Sequence, residues 1–285
     1  MLRKVLLIGA ALLALPCAAQ AATKILFVGN SFTYGANSAV FHYRSGHVHD
    51  LNNEDVGGVP ALFEAFTKEA GLDYDVSLET AGGKNFDFHY DTKLNLIDKP
   101  WDVVVMQGYS TLDAKAPGDP ANLVKYGVIL ADVFHKQNPQ VKLYLDATWS
   151  RPDLTYPDGT HWHGQPIEQM ALDVRKGYDA ARAASPYFTA VMPVGEAFNL
   201  AIKDGVADPN PYDGIAFNQV DLWTWDHYHA SVYGYYLEAL VEFGAITGKD
   251  PASLGEHEKC ANDLGLSPAQ AAALQKVAHD ILARP

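Results

Sequence analysis

Five apolar runs, Lys24 to Val28, Tyr74 to Thr80, Trp101 to Met106, Val141 to Ala147 and Phe188 to Val194, punctuate the first two thirds of this chain. Each is short, rich in β-branched or aromatic residues, and most stop at small or polar residues, as buried strands do. Between and after them lie stretches with apolar positions three and four apart. These predict helices over about 59–70, 121–136, 166–184, 196–203 and 231–246, and a last one opening at Ser267-Pro268-Ala269-Gln270, a capping box with proline at the first helical position. Strands alternating with helices give a parallel sheet covered on both faces. The expected fold is therefore α/β: a flavodoxin-like three-layer α/β/α sandwich around a central parallel sheet of about five strands.

The first 21 residues stand outside that pattern. Arg3 and Lys4 precede an apolar run from Val5 to Leu15, and Ala19-Gln20-Ala21 offers a small-x-small cleavage site. This predicts a secretory signal peptide at 1–21 and export to the periplasm or beyond the cell. Pro16 occupies the place where a lipoprotein site needs a small residue, so Cys17 predicts no lipid anchor. Residues 22–285 are expected to form a single domain with long loops at about 35–58, 150–165 and 204–226. Removing the leader leaves Cys260 as the lone cysteine, so stability must come from a core rather than from an internal disulfide. The formal charge of 21 minus 34, or -13, becomes -15 without Arg3 and Lys4. So acidic a chain argues against nucleic acid and anionic membranes as partners, because phosphates demand clustered Lys and Arg. A neutral or cationic small molecule or glycan fits better.

On this map the polar residues gather at one edge. Ser31 follows the first strand, Gly82-Gly83 the second, Gln107-Gly108 the third, and Asp226-His227-Tyr228-His229 lies beyond the fifth. In a parallel sheet all of these fall outside the carboxyl ends of the strands, where ligands bind. Acyl transfer needs such a set. A serine hydroxyl becomes nucleophilic when an imidazole takes its proton, and a carboxylate must orient the imidazole. Asp226 and His229 have the three-residue offset for this; His227 does not. The candidate oxyanion donors are the backbone N–H groups of Ser31 and Gly83 and the side-chain amide of Gln107.

Read together, Gly29-Asn30-Ser31-Phe32-Thr33, Gly83 and Asp226 to His229 resemble the first, second and fifth blocks of the SGNH (GDSL-type) hydrolases. The resemblance implies a serine esterase with Ser31, His229 and Asp226 as its triad, and no cofactor or metal. Two positions depart from the family pattern: Asn30 replaces the aspartate of Gly-Asp-Ser, and Met106-Gln107-Gly108-Tyr109-Ser110 replaces Gly-x-Asn-Asp. The expected activity is hydrolysis of a small acyl ester, such as acetyl, on a carbohydrate or another neutral alcohol. Two other classes stay open at this point: a non-catalytic glycan-binding module, and a flavodoxin-like cofactor binder using the loop after the first strand.

Three loop residues are candidates for substrate contact. Arg151, past the fourth strand, could meet a substrate carboxylate or simply tie down its loop. Trp162 and Trp225 could stack on a sugar or close their loops onto the core. The histidines at 42, 47, 49, 161 and 163 lack the cysteines or matched carboxylates of a zinc site and are expected to be solvated loop residues.

Overall fold

The computed structural model describes residues 21–284, so the expected signal peptide lies outside the described residues except for Ala21. A single sheet organises the rest. Its strands are β1 (Thr23–Gly29), β2 (His49–Asp50), β3 (Tyr74–Thr80), β4 (Val103–Met106), β5 (Lys142–Asp146) and β6 (Phe188–Met192). They lie in the order β2-β3-β1-β4-β5-β6, and every pairing is parallel. The five expected strands are all present. The sixth, β2, is a two-residue edge inside the segment read as a loop at 35–58; two residues are too few to carry a periodic pattern.

Alternation along the strands builds two cores. Ile25 and Phe27 of β1 and Val103 and Val105 of β4 join one apolar cluster, whereas Leu26, Val28, Val104 and Met106 join the other. The first is covered by α1 (Gly58–Glu69), α6 (Val194–Lys203), α7 (Val232–Thr247) and α9 (Pro268–Leu282). The second is covered by α2 (Phe86–Ile97), α3 (Ala121–Gln137) and α5 (Glu168–Ala184). Two short α-helices, α4 (Pro152–Thr155) and α8 (Lys259–Leu264), and two 3-10 turns, Ser45–His47 and Pro251–Leu254, complete the described elements. Without β2 the strand order is that of flavodoxin-like sheets, with the connection reversing direction between β1 and β4. The loops after those two strands therefore diverge to opposite faces and leave a crevice between them.

Helix α7 is buried on nearly every side, from Gly234 to Gly244. Ser231 caps it, its hydroxyl accepting from the N–H groups of Tyr233 and Gly234. Its interior includes two glutamates, Glu238 and Glu242. These lie with Asp146, the last residue of β5, in a group in which one carboxylate oxygen from each residue lies within 4.8 Å of the others. All three side chains are buried, and five of their oxygens have no hydrogen-bond partner among groups that can donate. Burial raises all three carboxyls, with repulsion from Glu196 adding to it at Asp146 and repulsion from Asp146 adding to it at Glu238 and Glu242; Asp146 is pushed up to about 7, so protons reside on the group at neutral pH.

Candidate active site

The chain leaves β1 through a tight turn. Asn30 O accepts from the N–H groups of Thr33 and Tyr34, and Ser31 O from that of Ala36. A β-carbon at Gly29 would lie 2.1 Å from Thr33 Oγ1, so only glycine lets the turn close there. Asn30 then knots three loops together. Its N–H donates to Gln107 Oε1 at 2.9 Å, its Nδ2 donates to Lys84 O and Gly108 O at 3.0 Å each, and its Oδ1 accepts from Phe32 N–H. The family aspartate would set a carboxylate against those two carbonyls. The amide suits this chain because the site asks for two donors.

Gln107 serves the same knot, and here an expectation is corrected. Its side chain is fully buried, Oε1 accepts from Asn30 N–H and from the Thr33 hydroxyl at 3.1 Å, and Nε2 donates to Gly108 O. Reversing the amide would turn donors onto Asn30 N–H and an oxygen onto a carbonyl, so the orientation is fixed. Gln107 braces the turn from below: one Nε2 hydrogen is engaged by Gly108 O, and the side chain, 0% exposed, is closed off from solvent. The backbone donors stand differently: the N–H groups of Ser31 and Gly83 make no hydrogen bond among the described residues. Gly83, at φ +67°, holds the left-handed backbone that points its loop outward.

On the far side of the crevice, the segment before α7 turns Asp226 and His229 together. Asp226 Oδ2 lies 2.6 Å from His229 Nδ1, while Oδ1 accepts from the Thr224 hydroxyl and from the N–H groups of Tyr228 and His229. Burial alone would raise the Asp226 carboxyl. The bonds from the His229 ring and backbone and from Thr224 outweigh it and hold the group well below the usual carboxylate range. A residue that the sequence reading missed completes this cradle. Asn37, at φ 59°, donates from Nδ2 to Asp226 Oδ2 at 2.7 Å. With Nδ1 engaged, His229 Nε2 is left buried and without a partner.

Packing sets the His229 ring against the turn that bears Ser31. Phe32, the residue after Ser31, sits 5.7 Å centroid to centroid from the His229 ring and stacks on Trp149 at 4.3 Å. The Tyr235 hydroxyl, one turn into α7, bonds Ser31 O and Ala36 O, which ties the serine turn to the helix that follows His229. Ser31 is 6% exposed, and its hydroxyl makes no hydrogen bond among the described residues. His229 Nε2 has no partner there either, and no hydrogen bond joins the two.

The other candidates separate. Arg151 forms a bidentate pair with Asp153 at 2.6 and 3.0 Å and donates to Ser110 Oγ, and its guanidinium lies 3.4 Å from the Tyr228 ring. Tyr228 in turn stacks on His229 at 4.0 Å. Arg151 thus clamps the floor under the imidazole instead of offering a free charge to a substrate. Trp162 is also corrected: it is buried in the second core with its Nε1 on Asp173. Trp225, next to Asp226, is 78% exposed. Among the described residues, the only group of three side chains placed to share a metal ion is Asp146, Glu238 and Glu242, and no histidine belongs to it.

No sequence-family model and no curated protein matches the chain. Its likeness to solved structures is one of shape. A DUF4886 family protein from Bacteroides uniformis matches over 92% of this chain and 95% of its own, at 17% identity and a TM-score of 0.63. A protein from Slackia heliotrinireducens provisionally assigned to the SGNH hydrolases matches over 79% and 100%, at 19% identity and 0.53. LAE5, an alpha/beta hydrolase enzyme from the metagenome of Lake Arreo, matches over 80% and 97%, at 17% and 0.53. The chain has the fold of the SGNH hydrolases.

Proposed function

We propose that this chain is an exported serine esterase that removes a small acyl group, acetyl in the simplest case, from a hydroxyl of a carbohydrate or related alcohol. The observation that carries the reading is the Asp226–His229 pair, with His229 Nε2 buried and unpartnered against the turn that bears Ser31. In this reaction Ser31 Oγ bonds to the ester carbonyl carbon as its proton passes to His229 Nε2. Asp226 keeps the ring in the required tautomer and stabilises the imidazolium. The carbonyl oxygen becomes an oxyanion held by the N–H groups of Ser31 and Gly83. As the tetrahedral species collapses, the C–O bond to the alcohol breaks and the leaving oxygen takes the proton from His229. Water then repeats the sequence on the acyl-Ser31 intermediate and releases the acid.

The two departures from the family pattern do not argue for lost catalysis. Asn30 and Gln107 both have structural employment that holds the serine turn in place. The test is turnover of an aryl acetate by the mature protein beside Ser31→Ala and His229→Ala. Since triad members act as a unit, either variant should lose about 10⁴-fold or more in kcat while far-UV and near-UV circular dichroism stay unchanged. Wild-type rates in either variant refute the assignment. A colourless protein that turns over the ester disposes of the cofactor-binding reading as well.

A further inference from the structure

Oxyanion holes draw on backbone N–H groups and on side-chain amides or hydroxyls. With Gln107 closed off beneath the serine turn, the donors placed so far are the N–H groups of Ser31 and Gly83. Most neighbouring side chains that could add another are engaged. Asn30 donates to Lys84 O and Gly108 O, the Thr33 hydroxyl to Gln107, Asn37 to Asp226, Asn85 to Leu112 O, and Arg151 to Asp153 and Ser110.

Tyr34 is not. It follows Ser31 by three residues in the same turn, and its hydroxyl makes no hydrogen bond among the described residues. The residue is held firmly at its base. Its N–H donates to Asn30 O at 3.0 Å, Gly58 packs so close that a β-carbon there would lie 2.9 Å from Tyr34 Cα, and its ring meets Phe41 edge-on at 5.3 Å. From this base the side chain reaches across to the loop after β3. A β-carbon at Gly82 would lie 2.7 Å from Tyr34 Oη and 3.7 Å from its Cζ. Gly82 has no left-handed backbone, so room for this hydroxyl is what asks for glycine there. Standard peptide dimensions then put Oη within about 6 Å of Gly83 N, and two donors that share one oxygen stand up to about 6 Å apart. Burial, and behind it the Tyr228 phenol and the Glu54 carboxylate, push the hydroxyl up, so it stays protonated and able to donate. Tyr228, the nearer in effect of those two, is the residue before His229.

Resting on the reading of Ser31 as nucleophile, we propose that Tyr34 Oη is the side-chain donor of the oxyanion hole, bonding to the substrate carbonyl oxygen beside the N–H groups of Ser31 and Gly83. The phenol transfers no proton. Its hydrogen bond shortens as the carbonyl oxygen takes on charge and relaxes when that electron pair re-forms the carbonyl and the bond to the alcohol breaks.

A double-mutant cycle on aryl acetate turnover tests this, with circular dichroism as the check on folding. Tyr34→Phe should lower kcat about 10²-fold and leave KM within about twofold, because the bond gains strength only in the transition state. Gly82→Ala, whose methyl takes the hydroxyl's place, should cost a similar factor. Tyr34→Phe/Gly82→Ala should be no slower than either single variant, since the ring without its oxygen clears the methyl. Inactivation by an aryl alkylphosphonate, whose phosphoryl oxygen stands in for the oxyanion, should slow in Tyr34→Phe by the same factor as turnover. A kcat within about threefold of wild type in Tyr34→Phe, a rise in KM alone, or losses that multiply in the double variant overturn the proposal. So does a loss in Tyr109→Phe, the hydroxyl on the loop after β4, matched by none in Tyr34→Phe. Ser31→Ala at wild-type rate would sink the esterase reading and Tyr34 with it. An inert Ser31→Ala beside an unimpaired Tyr34→Phe would sink Tyr34 alone.

Discussion

Replacing Asp146 by asparagine should make the protein more stable in alkali and leave it nearly unchanged in acid. The reason is the carboxyl group shared by β5 and α7. Asp146 stands at 3.8 in an unfolded chain and at about 7 in the fold. Between those limits the folded protein holds a proton that the unfolded chain has lost, so stability is fully present below pH 4 and drains away as pH rises through 7. A shift of 7 minus 3.8 corresponds to about 4 kcal/mol at roughly 1.4 kcal/mol per unit. Glu238 and Glu242, also raised by burial and by Asp146, act in the same direction. An asparagine is the same size, stays neutral, and donates to the neighbouring glutamate, so Asp146→Asn abolishes this cost. Urea unfolding of both proteins at several values between pH 4 and 9, in a chelator so that no cation substitutes for the protons, gives the difference directly. It should start near zero at pH 4 and climb to about 4 kcal/mol above pH 8. A difference that does not change with pH would show that Asp146 titrates alike in both states, and the argument from burial would fail.

Gln107→Ala should lower stability by about 1–3 kcal/mol, because the buried Asn30 N–H and Thr33 hydroxyl lose their acceptor. Urea midpoints check it; an unchanged midpoint with a hundredfold loss of kcat would restore Gln107 to the oxyanion. Asn37→Ala removes a donor from Asp226 at an exposed position and should cost about threefold to tenfold in kcat with little change in KM. A KM effect alone would mean that Asn37 meets substrate instead. Cys260 is buried in the first core and its thiol is pushed up by burial and by Glu258, so it should resist a thiol reagent until the protein is unfolded. Labelling at the rate of a free thiol in native buffer would contradict its placement.

The strands were legible because each is an apolar run that a parallel sheet must bury on both faces. Helix α2 was not. Only Phe86, His89 and Ile97 are buried in it, so its sequence has almost no apolar stripe, and its one clear signal is the capping Asn85. In α7 the pattern misled in the opposite sense. Val232, Tyr235, Tyr236, Ala239, Leu240 and Phe243 marked an amphipathic helix, which would put Glu238 and Glu242 in solvent; α1, α6 and α9 wrap it so closely that both are buried. At the site, sequence order located Ser31, Gly83, Gln107, Asp226 and His229 at one edge of the sheet. Position along the chain does not disclose where a side chain turns, which is why Gln107 was read as facing the crevice and Trp162 was left between substrate and core. Asn37 had no signal at all, being a lone polar residue in a loop whose meaning comes from Asp226, distant in sequence.

The Tyr235 hydroxyl, bonded to two carbonyls of the serine turn, makes one helix the common anchor of both halves of the crevice. The spacing between residues 31 and 229 is accordingly a property of the core and not of the excursions around it. The exposed excursion at 211–218 can be shortened, recoded or exchanged while residues 31 and 229 keep their mutual geometry, so the rim of the crevice can vary independently of its floor.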